Sequence, residues 1–361
     1  MFTEESQKAF LEEITKFQER LHKSLLMLSQ PIDTSVAKTP YEVVYSNNKM
    51  RLLYYRSPAK KVSPDPLVGV YALVNRQYML DLQPDRSMLR QILEGGYDVY
   101  MIDWGYPTPK DRYLTMEDYI DGYINEVVDF VRERTGKDKI TIVSICQGGT
   151  FSAIYTALYP EKIKNLVTMV APFDFDTRDG LLNVWSKALN PDRVVDVLGN
   201  VPGDFMNIGF LMLNPFRLMF DKYVGLLENI DDIDAISNFI RMEKWIFDSP
   251  DQAGEAWKKF MKDCYLENKL IKGEMEIGGR KVNLKNITVP VLNIYAEKDH
   301  LVPPASTIPF CKYIGSKDTD TFSLPTGHIG IFVGGKSQNV LVPHILQWLG
   351  RRTAPPQKRN S

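Results

Sequence analysis

The sequence predicts an α/β protein with a mostly parallel sheet, on two observations. Strand-like and helix-like patterns alternate from residue 67 to residue 144, and the alternation resumes near residue 289 after more than a hundred residues of mainly helical spacing. Thr3 can cap an opening helix with Glu4 and Glu5 in its first turn, and Phe10, Ile14, Phe17 and Leu21 recur as one apolar stripe, so residues 1–35 are assigned to an N-terminal helix. Residues 41–46 and 49–56 form a hairpin pattern around Asn47-Asn48, where asparagine tolerates positive φ. Strands are expected at 67–73, 98–102, 140–144 and 166–171, with helices at 86–93, ending at Gly95-Gly96, and at 116–134. Residues 289–296 and 319–324 are the two closing strands.

Residues 174–286 are rich in Leu, Met, Phe, Trp and Asp at helical spacing, as in 236–247, and are expected to form a helical lid inserted after the sixth strand. The core then comprises 36–173 and 287–361. A lid is preferred over a second packing layer because inserts between strands of such sheets lie over the strands' carboxyl ends.

Composition narrows the function classes. The chain has 361 residues, 44% hydrophobic and 25% charged, with a net charge of −1. No basic block gives it the electrostatic footprint of a nucleic-acid-binding protein. The most apolar stretch, 201–220, is broken by Asp204, Asn207, Asn214 and Arg217, which argues against a transmembrane segment. Cys146, Cys264 and Cys311 are too widely spaced for a disulfide framework or a zinc set, and the acidic N-terminus has no apolar signal core, so a reducing, cytoplasmic setting is expected. No metal or organic cofactor is implied.

The most informative segment is Ser144-Ile145-Cys146-Gln147-Gly148-Gly149, where a β-branched run ends and a helical pattern begins. A free cysteine is by default a small buried hydrophobe. Here, small residues two positions before and after it meet the steric demand of a nucleophile elbow, a strained strand-to-helix turn, with cysteine in place of serine. The turn also sets the thiol at a helix N-terminus, where unpaired N–H groups favour negative charge.

A nucleophile needs a base and an orienting acid. Asp299 follows the strand at 289–296 and His328 the strand at 319–324, so both should emerge on the face that carries Cys146. Nucleophile, acid, histidine is the chain order of the α/β-hydrolase fold. Glu297 competes with Asp299, which lies farther into its loop, and His300 can serve as a supporting residue, as can Asn75. His22 and His344 lie in helical patterns and read as surface or packing residues. The oxyanion hole of this fold uses the N–H after the nucleophile, here Gln147, and one from the loop after an early strand, here Val74.

These residues, together with segments 71–82, 103–107, 199–203, 245–254 and 299–303, resemble the catalytic subunit of polyhydroxyalkanoate synthases over about residues 40–350. The length and Gln147 lean toward the class III, two-subunit type. The resemblance implies that Cys146 carries the acyl group, with His328 as general base and Asp299 as orienting acid or hydroxyl activator. It further implies an (R)-3-hydroxyacyl-CoA substrate, a second synthase subunit in a homodimer or hetero-oligomer, and association with polyester granules in the cytoplasm. The stripe Phe10, Ile14, Phe17, Leu21 is a candidate docking face. Ser144 stands where the family usually has glycine, so the elbow is expected to carry added strain.

Cysteine suits such a transferase on chemical grounds, because an acyl-cysteine is itself a thioester and keeps the transfer potential of the acyl-CoA. Two other readings share the sequence: a cysteine-dependent α/β hydrolase (esterase or thioesterase) using water as acceptor, and a catalytically silent scaffold.

Overall fold

The computed structural model of the chain describes residues 8, 12, 14–16, 18–19, 32–353 and 357–358. Eight strands form one sheet: β1 (Glu42–Asn47), β2 (Met50–Tyr55), β3 (Leu67–Val70), β4 (Val99–Asp103), β5 (Ile140–Ile145), β6 (Ile163–Met169), β7 (Val291–Ala296) and β8 (Thr319–Leu324). Their order across the sheet is β1-β2-β4-β3-β5-β6-β7-β8. The β1–β2 and β2–β4 pairs are antiparallel, and every pair from β4 to β8 is parallel.

The inner strands are apolar on both faces because both faces are covered. On one side Val68, Val70, Ile140, Ile142 and Leu166 pack with Val127, Val128 and Val131 of α2 (Asn125–Thr135) and with Phe151 and Ile154 of α3 (Gln147–Leu158). On the other, Leu67, Val143, Ile145, Val167 and Leu292 pack with Leu89 and Ile92 of α1 (Met88–Glu94) and with Ile345 and Leu349 near the C-terminus. Alternation along each strand sends neighbouring residues to opposite cores.

Between β6 and β7 the chain runs through α4 (Leu181–Ser186), α5 (Pro191–Leu198), α6 (Gly203–Met212), α7 (Lys222–Glu228), α8 (Ile233–Phe247) and α9 (Gly254–Phe260). The side chain of Asp232 caps α8 by accepting the N–H groups of Asp234 and Ala235. Arg241, buried on α8, donates to the carbonyls of Asp33 and Ser35 and to Gln83, tying the insert to the core.

Several expectations need correction. The segment 174–286 is not wholly helical, since Glu276–Ile277 and Arg280–Lys281 pair as a short antiparallel ladder. The strand expected at 67–73 stops at Val70, because residues 71–75 turn away over α3. In the segment 1–35, positions 8, 12, 14–16 and 18–19 are helical and 32–35 are not. Ile14 is exposed, whereas Phe10, Phe17, Leu21 and His22 lie outside the described residues. Among the described residues no helix is long and apolar enough to cross a membrane.

Phe173, just beyond β6, stacks on Phe310 with ring centroids 3.7 Å apart, and neither ring is exposed. Phe310→Ala is expected to destabilise the protein by about 3–5 kcal/mol, read from the urea midpoint. A loss below about 1 kcal/mol would show that this contact does not brace the insert's departure from the sheet.

Candidate active site

Parallel strands deliver the loops after β3, β5, β6, β7 and β8 to the same edge of the sheet. Cys146 lies there between β5 and α3 with φ 52° and ψ −127°, a conformation that costs an L-residue about 1–3 kcal/mol and persists only where the surroundings impose it. Its N–H donates to the Met169 carbonyl at the end of β6, and its carbonyl accepts from Gly149 at 2.8 Å. Gly148 is required by close approach: a Cβ there would run into the Val70 carbonyl and lie 2.6 Å from the carbonyl of Tyr71. Ser144 fits without crowding, fully buried, with its hydroxyl donating to the Val167 carbonyl at 3.0 Å. Its buried hydroxyl is thereby satisfied, and Ser144 itself is not among the residues with positive φ.

Cys146 is half-buried, while Cys264 is sealed in the core, where burial pushes its thiol pKa well up. Burial also raises the Cys311 pKa. Among the three thiols, Cys146 is the one held in a strained turn at a helix N-terminus.

Three strand spacings, about 14 Å, separate β5 from β8, so the loop after β8 must fold back across the sheet edge to meet Cys146. Two backbone bonds guide it: Glu297 N–H to the Leu324 carbonyl at 2.9 Å and Lys298 N–H to the Thr326 carbonyl at 3.0 Å. His328 ends 6% exposed, its Nδ1 2.7 Å from Asp299 Oδ2, with the Cys146 sulfur near enough to act on the charge of the ring. Asp299 Oδ1 accepts the N–H groups of Leu301 and Val302, both at 2.9 Å, which fixes the carboxylate. Burial by itself favours a neutral ring at position 328. The Asp299 carboxylate and then the Cys146 sulfur outweigh it, and the histidine pKa is pushed up to about 10.

Glu297, the rival acid, is exposed and accepts a hydrogen bond from Ser323. His300 is half-buried beside Asp299. His344 stacks on Phe322 at 4.1 Å, a packing role.

Gln147 opens α3, so its N–H belongs to the unbonded first turn. Its side chain accepts the Leu73 N–H at 3.1 Å and so ties the 71–75 loop to the elbow. Among the described residues no hydrogen-bond acceptor is assigned to the next N–H, that of Val74. Asn75 follows at φ 57°.

Sequence reasoning missed two phenols. Tyr71 and Tyr265 are buried, and that burial raises both phenol pKa values, with the electrostatic influence of Cys146 second to it. Tyr265 comes from the insert and packs on Phe175 and Phe260, with ring centroids 4.8 and 5.9 Å away. Nothing in its spacing signals this, because Tyr265 lies more than a hundred positions from Cys146 in the chain. No group of three His, Cys, Asp or Glu side chains among the described residues could hold a metal ion.

Comparison with known proteins agrees with this geometry at the level of fold and family. The family model for the alpha/beta hydrolase fold matches residues 73–335, and that for the poly-beta-hydroxybutyrate polymerase (PhaC) N-terminus matches residues 5–92. The chain is 50% identical over 329 residues to the poly(3-hydroxyalkanoate) polymerase subunit PhaC of Allochromatium vinosum, covering 91% of this chain and 92% of that one. It is likewise 50% identical over 327 residues to the Synechocystis sp. subunit of that name, covering 89% and 86%. Among solved structures, a soluble variant of monoglyceride lipase from Saccharomyces cerevisiae aligns with TM-score 0.54 at 13% identity, covering 90% of this chain and 98% of that one. The monoacylglycerol lipase of Paleococcus ferrophilus aligns with TM-score 0.52 at 14% identity, covering 84% and 100%. Likeness at that identity speaks for the fold alone.

Gly148→Ala should leave secondary structure intact by circular dichroism while lowering turnover by about 10²-fold, because the added methyl pries α3 away from β3 and misplaces the sulfur. Turnover near that of the parent would show that the close approach is not needed. A second expectation concerns pH. The folded-state pKa of His328 lies above the ordinary histidine value of 6.5, so its stabilising contribution is complete below pH 6.5, declines above it and is lost as pH rises through about 10. The gap in urea midpoint between parent and His328→Gln should therefore narrow from pH 6.5 to pH 10, and a gap that stays constant or widens contradicts the assignment.

Proposed function

The chain belongs to the poly(3-hydroxyalkanoate) polymerase family on the α/β-hydrolase fold, and from that premise we propose how its residues divide the work of a poly(3-hydroxyalkanoate) polymerase. Cys146 is the acyl carrier. The His328 ring, whose pKa is pushed up to about 10, holds its proton beside the Cys146 sulfur as that sulfur attacks the thioester carbon of an (R)-3-hydroxyacyl-CoA. The N–H groups of Gln147 and Val74 stabilise the tetrahedral oxyanion, and collapse of that intermediate expels CoA, whose sulfur takes the proton from the imidazolium and leaves a neutral ring to act as base. The 3-hydroxyl of another unit, deprotonated by His328, then attacks the acyl-cysteine. An ester forms, the Cys146 sulfur is released, and the polyester has grown by one unit.

The Asp299–His328 hydrogen bond, with the Cys146 sulfur acting on the same ring from a strained strand-to-helix turn, carries this reading. Asp299 keeps the imidazole in the orientation that presents Nε2 to the sulfur, and its charge favours the imidazolium formed on the way. Cysteine rather than serine conserves the thioester's transfer potential between the two half-reactions. The insert 174–286 serves as the lid that excludes water from the acyl-enzyme, tied to the loop beside Cys146 through Asn75. Its partners in this role are a second synthase subunit and the surface of the polyester granule.

Incubation with (R)-3-hydroxybutyryl-CoA should release CoA and give insoluble polyester. Cys146→Ala should abolish both, and His328→Gln should lower kcat by about 10²–10⁴-fold. Free 3-hydroxybutyrate without polymer would favour a hydrolase, and turnover unaffected by Cys146→Ala would remove the cysteine from the chemistry.

A further inference from the structure

The loop that presents the Val74 N–H is held from outside the core. Asn75 stands at φ 57°, a conformation glycine would adopt with less cost, yet its amide has a use that glycine could not supply. Nδ2 donates to the carbonyls of Trp245 at 3.3 Å and Ile246 at 3.0 Å and lies 2.8 Å from Ser249 Oγ. Two of these acceptors are carbonyls in the last turn of α8, and that of Trp245 also accepts the Asp248 N–H at 3.2 Å. The seam continues along both strands of contact. The Trp245 indole N–H donates to the Arg76 carbonyl at 2.8 Å, and the Tyr78 hydroxyl donates to Asp248 at 2.8 Å. On the insert's side, Asn207 donates to the Ile246 carbonyl at 2.9 Å and accepts from Ser249. Residues 75–78 are thus zipped to residues 245–249, one residue beyond the donor whose aim decides the stability of the oxyanion.

We propose that Asn75 is a positioning residue that latches the donor-bearing loop after β3 to the end of α8, so that Cys146 is acylated at full rate only when this end of the insert is seated. The inference rests on the acyl-cysteine reading and on the loop's role as oxyanion donor. Its physical basis is that an oxyanion donor gains its effect from being fixed before the charge develops. A loop free to move by a fraction of an ångström would lose that advantage while still binding substrate. Gln147 fixes the loop from the elbow side through Leu73, and Asn75 fixes it from the insert side, so the Val74 N–H lies between two anchors.

Asn75→Gly keeps the backbone conformation and removes the latch, whereas Asn75→Asp keeps the shape but cannot donate. Rapid-quench measurement of acyl-Cys146 formation at saturating (R)-3-hydroxybutyryl-CoA should show both slowed by about 10–100-fold, with KM changed by less than about threefold. Alkylation of Cys146 by iodoacetamide, which develops no oxyanion, should stay within about twofold of the parent. Tyr78→Phe, which opens the same seam three residues on, should slow acylation in the same direction. A role confined to capping α8 would lower the melting temperature and leave acylation by the folded protein unchanged; that outcome, or alkylation falling in step with acylation, overturns the latch. If the parent itself shows no acyl mass on Cys146, the acyl-cysteine reading falls, whereas a parental adduct with unchanged Asn75→Gly kinetics overturns the latch alone.

Discussion

One turn of backbone governs the arrangement. Cys146 sits at φ 52° and ψ −127° where β5 gives way to α3, and α3 lies this close to the end of β3 because Gly148 has no side chain to meet the Val70 and Tyr71 carbonyls. The strain is stored where the sulfur must project past the sheet edge. It is held by the β6 carbonyl that takes the Cys146 N–H and by the Ser144 hydroxyl, which bonds within the sheet instead of crowding the turn. Every later feature of the site is arranged around this fixed sulfur.

The electrostatics follow from that placement. A buried imidazole in an apolar setting would be neutral, so the raised pKa of His328 measures how strongly the Asp299 carboxylate and the Cys146 sulfur act on it. Asp299 is itself pinned by two backbone N–H groups, which leaves one oxygen for the histidine. On the opposite side the 71–75 loop is fixed by Gln147 and Asn75. The insert meets that loop at the end of α8, where the Trp245 and Ile246 carbonyls accept from Asn75.

Much of this was legible in the sequence, for identifiable reasons. The β-branched run before Cys146, the small residues flanking it and the strand-end positions of Asp299 and His328 are local patterns, and the parallel sheet that brings the three together follows from strand and helix alternation. Loop position alone does not separate Asp299 from Glu297, whereas burial does: Asp299 is enclosed and Glu297 is exposed. Interactions across the insert were not legible. The bond from Asn75 to the end of α8 depends on how a hundred inserted residues settle on the core, and the Gln147 side chain on Leu73 joins core residues 74 positions apart; no local period encodes either. The strand expected to reach residue 73 ended at Val70 for the same reason, since the loop's partners lie in the insert and on α3 rather than in the sheet.

The central claim, that this one sulfur accepts the acyl group, is tested most directly by acid-quenching the protein milliseconds after mixing with (R)-3-hydroxybutyryl-CoA and mapping the acyl mass by peptide mass spectrometry. The account predicts the added mass on the peptide containing Cys146, appearing in step with CoA release, with Cys264 and Cys311 unmodified. CoA released with no adduct on Cys146, or with the adduct on either other cysteine, would contradict it.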